Sequence, residues 1–496
     1  MRIQKKDPMR TRKNDKEKEP GIRIEKLIMI ALAAYLLLAV VFYFLAGEQL
    51  YFRDSRGNIA AQTADAGTIE LTEGQAVEQT FRCEIQRLES ISVQFGTFIR
   101  TTNEGTVVIE LLREDNGEVL MRRSFDASEI AEGAFVTVAA EEPICDAYGA
   151  MLRIRVTGDS APGYGVSPLM SQVSRTAEDE ALYYNDTLTS GALCFRAAGR
   201  DVIWTGLHYW ELVAGFAVLW VAFLAIVWLR VKKGKRSYVM NAIAAMKKYR
   251  FLIEQLVSRD FKTKYKRSVL GVFWSFLHPL LMMCVQYFVF STLFKSDIPY
   301  FAAYLIIGTV MFNFLSESCG MTLTSILGNA GLITKVYMPK YIYPLTRTMS
   351  SMVNLGISLI PLILVCLVTG VHLTKAAILS LFFLMCLVIF CLGLGMLLAT
   401  SMVFFRDTQF LWGVITMMWM YATPIFYPES ILPPNLKFVH QLNPLYHFLK
   451  NVRICILDGI SPEPVIYAQC LLIAMMMLLV GAAVFYKNQD KFILYL

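Results

Sequence analysis

The sequence predicts an α-helical polytopic membrane protein of about eight transmembrane helices, with an extracellular β-sandwich inserted after the first helix. Hydrophobic residues make up 55% of the 496 positions, and the mean hydropathy of +0.47 exceeds that of soluble chains. Long apolar segments recur along the C-terminal half, whereas the polar stretch after the first segment alternates in the manner of β-strands. These three observations define the predicted fold class.

Each predicted span is an apolar segment close to the roughly 20 residues that cross a bilayer. The first, 27–46, carries no charge. It is predicted to remain as an anchor because its apolar run is longer than that of a signal peptide and lacks an A-x-A-like exit. A second span covers 207–229, and six more form a predicted core at 277–295, 301–323, 345–369, 376–404, 408–427 and 466–486.

The distribution of Lys and Arg predicts the side of the membrane on which each loop lies. Ten of the first 26 residues are basic, and a second basic stretch, RVKKGKR, follows the second span. No lysine occurs between positions 27 and 231, where Asp and Glu are frequent. We therefore expect a protein of the cytoplasmic membrane with both termini in the cytoplasm and the acidic segment outside. The net charge of +7 then reflects the inner face and does not indicate nucleic-acid binding.

These features divide the chain into six predicted regions. They are a basic cytoplasmic tail (1–26), a first transmembrane helix (27–46), an extracellular β-sandwich (47–206), a second transmembrane helix (207–230), a basic cytoplasmic linker with an amphipathic interface helix (231–268) and a six-span core (269–496). By analogy with carbohydrate-binding sandwiches the β-sandwich could hold an emerging glycan, and a spacer and a dimerisation module are the alternatives.

The outer segment is predicted to be β because short runs rich in β-branched residues alternate with turn-forming residues. The clearest runs are TVVIELLRE at 106–114, AFVTVAA at 134–140 and AMLRIRVTG at 150–158. The segment also contains Cys83, Cys145 and Cys194 in a compartment where disulfides persist. A bond between Cys83 and Cys194 is one interpretation, and three buried free thiols is the other.

The stretch RDFKTKYKRSVLGVFWSFLHPLL, 259–281, joins a basic segment directly to an apolar one. Upstream and within it, Leu252, Leu256, Val257, Phe261 and Tyr265 recur at helical spacing, which predicts one apolar face. The cations fall mainly elsewhere on the helix, so we interpret it as an interface helix that meets anionic lipid. A simple positive-inside anchor is the alternative. The candidate residues of the interface helix are Arg259, Phe261, Lys262, Lys264 and Tyr265.

Three stretches in this order resemble the permease subunit of ABC-2-type exporters, especially the polysaccharide and teichoic acid (O-antigen-like) branch. They are KYKRSVLGVFWSFLHPLL at 264–281, LGNAGLITKVYMPKYIYPL at 327–345, and the pair FFRDTQF at 404–410 with TPIFYPESILPPNLKFVHQLNPLYHFLKNVR at 423–453. The resemblance covers about 245–496. The first 240 residues, including the β-segment, lie outside the usual core of this family.

The resemblance implies roles for two of these loops. The inner loop would be a coupling helix that docks into an ATPase, through Lys335, Val336, Tyr337, Met338, Pro339 and Lys340. The proline-rich outer loop would form an exit gate, with Pro424, Phe426 and Tyr427 beside the path. The alternatives are a connecting loop with positive-inside lysines and an ordinary outer loop with turn prolines.

Several residues in or beside the predicted core spans are candidates for the translocation path. Glu317 is the most interior carboxylate, and an intramembrane acid usually faces protein or water. A hydrogen-bonded packing role is the alternative for Glu317. Trp274, Trp412 and Trp419 could stack on sugar rings, although most aromatic residues in these spans are predicted to be interface anchors.

The sequence contains no G-x-x-x-x-G-K-[ST] phosphate loop, no H-E-x-x-H metal motif and no convincing catalytic constellation. We therefore predict a transport subunit that is not itself an enzyme and binds neither cofactor nor metal. Its expected partners are two copies of an ATPase that carries ATP and Mg, a second copy of this chain, membrane lipid and a lipid-linked cell-surface polysaccharide. The alternatives are an ABC-2 exporter of a small molecule or peptide, or a membrane glycosyltransferase or sensor with an outer β-domain.

Overall fold

A computed structural model describes residues 24–57, 64–100, 102–172, 180–233, 238–266, 268–294, 298–335, 338–428 and 437–495. Within these ranges the chain forms two compact units. One is Glu48–His208, and the other combines the parts of the chain on either side of it. The helix α1 (Ile24–Ala46) precedes the first unit and belongs to the second.

The Glu48–His208 unit consists of two antiparallel sheets. Its strands are β1 (Phe52–Gly57), β2 (Ala66–Gly67), β3 (Ala76–Arg82), β4 (Arg87–Gly96), β5 (Thr106–Arg113), β6 (Val119–Asp126), β7 (Phe135–Ile144), β8 (Met151–Gly158), β9 (Ser167–Ser171), β10 (Leu182–Tyr184), β11 (Thr187–Thr189), β12 (Ala192–Leu193) and β13 (Phe195–Val202). A short helix, α2 (Trp204–Leu207), follows. One sheet has the order β1-β13-β4-β9-β12, with β2 added at β9 and β7 at β4, and the other has the order β11-β10-β3-β8-β5-β6.

Alternation along the strands forms the core between the sheets. In β8, Leu152, Ile154 and Val156 are buried, while Arg153 and Arg155 face the opposite side. Both arginines form ion pairs with the carboxylate of Glu78 in β3, whose side chain is only 3% exposed. The predicted runs at 106–114, 134–140 and 150–158 correspond to β5, β7 and β8, so the β-rich fold class is confirmed.

The proposed bond between Cys83 and Cys194 is not formed, because both residues are free and buried thiols. Cys83 follows β3 in one sheet, whereas Cys194 lies between β12 and β13 in the other sheet. The end strands that would have brought the two sulfurs together do not pair with each other. Cys145 is also free but exposed, so the alternative of three buried thiols holds for two of them.

The second unit is helical. After α1 it contains α3 (Tyr209–Lys232), α4 (Tyr238–Lys248), α5 (Arg250–Tyr265), α6 (Phe273–Phe294), α7 (Phe301–Leu323), α8 (Ala330–Ile333), α9 (Ile342–Val368), α10 (Ala376–Phe404), α11 (Thr408–Ala422), α12 (Lys437–Leu442), α13 (Pro444–Arg453), α14 (Pro464–Asn488) and α15 (Phe492–Tyr495). Among the described residues, seven helices are long and apolar enough to cross a membrane: α1, α3, α6, α7, α9, α10 and α14. The chain is a multi-pass membrane protein.

The eighth predicted span, 408–427, differs from the expectation. Its helix, α11, has 15 residues, which corresponds to about 22 Å of helix, less than the roughly 30 Å of hydrocarbon in a bilayer. The helix ends at Ala422 because Pro424 cannot continue it, and the chain becomes irregular and buried from Thr423 to Phe426. The apolar sequence therefore extends further than the helix does.

Small residues determine the closest packing in the helical unit. A Cβ atom on Gly481 of α14 would lie 1.9 Å from the carbonyl oxygen of Gly393 in α10. Only glycine at this crossing allows the two helix backbones to approach so closely. The contact fixes α14 against the centre of α10.

Helix α5 packs its apolar face against protein. Ile253 is buried in a cluster that also contains Ile342 and Tyr343 at the start of α9, and Leu252 and Val257 pack against that cluster. Leu256 is also buried. The cations Lys262 and Lys264 are exposed. Part of the apolar side of α5 thus packs on α9, and contact of α5 with the headgroup region stays a prediction.

Candidate transport site

A cavity of about 460 Å³ with both polar and apolar side chains in its lining lies between the end of α5 and helices α6, α7 and α9. Its lining includes four residues selected from the sequence, Lys264, Tyr265, Trp274 and Glu317. The remaining lining is mostly polar or aromatic: Ser275, His278, Pro279, Val310, Asn313, Phe314, Ser316, Ser351, Asn354, Leu355 and Ser358. The fold thus brings the interface helix and two candidate path residues to one site.

An ion pair connects α5 to α7 in this cavity. The Nζ atom of Lys264 lies 2.8 Å from Oε1 of Glu317, and the Nδ2 atom of Asn354 in α9 donates to the same oxygen at 2.5 Å. The side chains of Lys264 and Glu317 are 41% and 28% exposed, so the pair is open to the cavity. A carboxylate in the apolar helix α7 is therefore partnered, as a charge at this depth requires.

The hydroxyl of Tyr265 extends the network. It contacts Oγ of Ser275 in α6 and donates to Oδ1 of Asn354 at 3.2 Å. Phe261 packs edge-on against the Tyr265 ring, with 5.1 Å between centroids. The last turn of α5 is thus hydrogen-bonded to three helices that surround the cavity.

A second ionic cluster lies one turn earlier in α5. The side chain of Asp260 is 4% exposed and has Arg259 Nη2 at 3.0 Å from Oδ1 and Arg347 Nη1 of α9 at 3.1 Å from Oδ2. The Arg347 contact is an ion pair without good hydrogen-bond geometry, since Oδ2 has no hydrogen-bond partner. Arg259 also donates to Oδ1 of Asn329 at 3.2 Å. Asn329 immediately precedes α8, so this cluster joins α5, α9 and the inner loop.

The inner loop begins with a helix of only four residues, α8. Lys335 is exposed and Met338 is buried. The Nζ atom of Lys340 donates to the carbonyl of Gln489 at 2.5 Å and lies 5.9 Å from the Phe492 ring centroid. Among the predicted coupling residues described, Lys335 is thus accessible, whereas Lys340 holds the C-terminal segment. Val336 and Tyr337 lie outside the described residues.

The predicted gate residues form a separate packed cluster around Arg453 at the end of α13. This residue is 7% exposed and donates to the carbonyls of Pro424 at 2.6 Å, Tyr304 at 3.1 Å and Ile425 at 3.1 Å. Its guanidinium carbon lies 3.3 Å from the Tyr304 ring centroid. The Tyr304 hydroxyl also donates to the carbonyl of Tyr427 at 2.9 Å. The irregular backbone after α11 is therefore satisfied by protein groups.

The tryptophans of α11 belong to this packed cluster and not to the cavity lining. The indole N–H of Trp419 donates to Oδ1 of Asn443 at 2.7 Å, and the same oxygen accepts from the backbone N–H of Leu445 to cap α13. Trp412 is 8% exposed and packs edge-on against Trp419. Phe426 stacks on Phe290 with 5.2 Å between centroids. Of the predicted path tryptophans, only Trp274 reaches the cavity.

The sequence analysis did not select Asp260, Asn354, Asn443 or Arg453. Asn443 and Arg453 lie inside a motif that was quoted for the resemblance, and Asp260 lies in the stretch 259–281 that was quoted for the interface helix. No local pattern singled out these residues, because their partners come from distant parts of the chain. Among the described residues, no group of three or more His, Cys, Asp or Glu side chains is placed to hold a metal ion.

Residues 252–457 match the family described as ABC-2 type transporter. This chain carries an ABC-2 type transporter domain. It is 27% identical over 243 residues to an O-antigen export system permease protein RfbA of Klebsiella pneumoniae, which covers 49% of this chain and 93% of that protein. It is 25% identical over 256 residues to the protein of the same name from Myxococcus xanthus, which covers 51% of this chain and 98% of that protein.

The ABC-2 domain contains the cavity, the Asp260 cluster and the Arg453 cluster, because all of their residues fall between 252 and 457. The resemblance to ABC-2 permeases predicted from the quoted motifs is therefore confirmed. The β-unit, by contrast, lies wholly outside the matched range.

Proposed function

We propose that this chain is the transport subunit of an ATP-driven exporter that moves a lipid-linked cell-surface polysaccharide across the inner membrane. The observation that carries the proposal is the cavity with the Lys264 and Glu317 ion pair in its lining, inside an ABC-2 domain. Polar and charged groups between apolar helices are costly, and they commonly mark a transport pathway.

The chemistry of the cavity suits a glycan. Its hydroxyl, amide and carboxylate groups can exchange hydrogen bonds with sugar hydroxyls, and the exposed Trp274 ring offers an apolar face for sugar C–H groups. The relatives named above are O-antigen export permeases, which favours a polysaccharide over a peptide. The cavity volume is also in the range of small-molecule sites, so export of a small compound is the second candidate.

Energy for transport would come from a separate ATPase. In this proposal two ATPase copies act on two copies of the chain, and each ATPase contacts the inner loop near Lys335. The Asp260 cluster would then pass movement of that loop to α5 and α9, since Arg259 bonds to both Asp260 and Asn329.

We further propose that both termini lie in the cytoplasm and that the β-unit lies outside. The basic residues before α1 and after α3 support this orientation. An even number of crossings is then needed, which requires the short α11 and the buried segment after it to complete one crossing together.

Glycan export in whole cells tests the cavity. Glu317→Gln keeps the shape of the side chain and removes its charge, and we expect export to fall about tenfold or more, equivalent to ~1.4 kcal/mol. Lys264→Glu should reduce export similarly. Lys262→Glu should have a smaller effect, because Lys262 is exposed and does not line the cavity. Surface polysaccharide is measured by antibody or lectin staining, with membrane abundance of each variant measured in parallel. Equal loss of abundance and export would assign Glu317 a packing role.

Purification of the chain from its native membrane tests the ATPase partnership. We expect a stoichiometric ATPase to co-purify and to be lost when the loop from Lys335 to Lys340 is replaced. A chain that elutes alone without ATP hydrolysis would reject the exporter class and favour a membrane enzyme or sensor.

A further inference from the structure

Three loops meet at one end of the β-sandwich, and a single ion pair joins them. Nη1 of Arg100, after β4, donates to Oε1 of Glu70 at 2.8 Å and to the carbonyl of Gly163 at 2.7 Å. Glu70 lies between β2 and β3, and its oxygens accept from the backbone N–H groups of Gly163 at 3.2 Å and Gly165 at 3.0 Å. The three loops therefore form one hydrogen-bonded surface.

The backbone turn after β4 has unfavourable φ angles, and side-chain hydrogen bonds hold it in this conformation. Phe98 and Ile99 have φ angles of 55° and 61°, in the left-handed region that β-branched residues avoid. Oε2 of Glu132 holds this turn by accepting from the backbone N–H and hydroxyl of Thr97 at 2.6 and 2.7 Å and from the N–H of Ile99 at 3.3 Å. Strain maintained by dedicated contacts is commonly found at binding sites.

The strained turn presents apolar side chains to solvent. Ile99 is 90% exposed and Phe98 is 47% exposed, and Tyr164 in the neighbouring loop is also 47% exposed. The guanidinium carbon of Arg100 lies 4.8 Å from the Phe98 ring centroid, and it connects this ring to the loop that carries Tyr164. One aromatic ring thus packs against the guanidinium of the ion pair, and a second exposed ring belongs to the loop that Arg100 binds.

Two buried polar atoms belong to the same loops. Oδ1 of Asn103 and Oγ of Ser160 have no hydrogen-bond partner among the described residues, although the two residues are only 5% and 3% exposed. Each of these atoms can accept a hydrogen bond, and the two residues lie close in sequence to Phe98 and to Tyr164, respectively.

We propose that this surface, formed by Glu70, Phe98, Arg100 and Tyr164, binds a neutral pyranose unit of a glycan. The aromatic rings would stack on the C–H face of the sugar, and the ion pair would exchange hydrogen bonds with its hydroxyls. A phosphate or an anionic lipid does not fit, because Glu70 already neutralises Arg100 and Glu132 adds a further carboxylate at the same turn, whereas a neutral sugar meets no such repulsion. That the sugar belongs to the polysaccharide exported by this chain rests on the function proposed above, whereas saccharide binding does not.

Saturation-transfer NMR on the full chain in phospholipid nanodiscs, without glycoside detergents, tests the site. The probes are the methyl pyranosides of glucose, galactose, mannose and N-acetylglucosamine. We expect transfer to the ring protons of at least one probe and about tenfold weaker binding after Phe98→Leu or Tyr164→Ala. Phe98→Trp should retain binding because the ring is kept. Tyr148→Ala is the matched control, since Tyr148 is 61% exposed in a different loop.

No transfer to any of the four probes would overturn the proposal, and so would equal binding by wild type, Phe98→Leu and Tyr164→Ala. Vesicle association that is lost in Ile99→Asp, without glycoside binding, would instead make the turn a membrane contact. Export measured in the same variants separates the two proposals. Binding without export rejects only the export function, and export without binding rejects only this site.

Discussion

Replacement of Asp260 by Asn should weaken the attachment of α5 to α9. The substitution preserves the shape of the side chain but leaves Arg347, which is 21% exposed, without its counter-charge. Removal of one partner from a buried ion pair costs about 3–5 kcal/mol. The lower limit applies here because Arg347 keeps some contact with solvent and its ion pair lacks good hydrogen-bond geometry. Arg259 is 48% exposed and adds no more than about 1 kcal/mol.

The expected loss for Asp260→Asn is therefore about 3 kcal/mol of the free energy of unfolding. A double-mutant cycle with Arg347→Met isolates the pair, measured by denaturant unfolding of the purified chain in mixed micelles. We expect a coupling energy of about 2 kcal/mol, since the second substitution removes the charge that the first one strands. Glu254→Gln is the control, because its ion pair with Arg250 is exposed at both ends and should contribute little.

Additive effects of Asp260→Asn and Arg347→Met, within about 0.5 kcal/mol, would refute this reasoning. If the cluster also transmits movement of the inner loop, Asp260→Asn should lower export more than ATP hydrolysis in the assembled complex. An equal decrease in both activities would limit the cluster to a stabilising role.

Three further predictions concern other parts of the chain. Glu78→Gln should destabilise the β-unit by about 2 kcal/mol, because Arg153 and Arg155 lose the negative charge that lies between them. A thiol reagent should then label the buried Cys83 and Cys194 faster, and unchanged labelling rates would contradict the prediction. Acidification should loosen the Arg100 loop. Partial burial opposes ionisation of Glu70, but the hydrogen bonds from Arg100 and from two backbone N–H groups outweigh the effect of burial, and the pKa of Glu70 is lowered below its ordinary value of 4.5. The stabilisation is therefore present above this value and lost as the pH falls through the lower folded pKa, which hydrogen exchange of residues 97–100 measures; protection that is unchanged between pH 6 and pH 3 would be inconsistent with this role. Arg453→Lys should loosen the segment after α11, because one ammonium group cannot reach all three carbonyls that Arg453 binds. The reactivity of a cysteine introduced at Tyr427 should therefore rise in this variant, and equal reactivity with Arg453 and with Lys at this position would exclude the role.

The sequence predicted the parts of the fold that depend on local composition. Helices α1, α3 and α10 follow from long apolar runs, and β5 and β8 follow from alternation. The span at 408–427 was overestimated because hydropathy does not register where a proline interrupts the backbone. The possible disulfide could not be decided either, since it depends on whether β3 and β13 pair, which is a property of sheet topology.

For the candidate site, too, the sequence indicated individual residues but not which of them lie together. Glu317, Lys264 and Trp274 stood out individually, as unusual residue types in or beside apolar helices. Their meeting in one cavity depends on the crossing of α5, α6, α7 and α9, which brings together residues as distant as Lys264 and Asn354.

The sequence by itself determined the membrane class, the positions of the apolar helices and the existence of a β-unit, because each depends on patterns within about 20 neighbouring residues. Only the tertiary structure decided which polar residues share a site. It pairs Asp260 with Arg347, encloses Arg453 among three carbonyls and holds Phe98 and Ile99 in a strained turn. Contacts of this kind join segments that are far apart in the chain, and the energies that select them come from burial and charge pairing in the assembled fold.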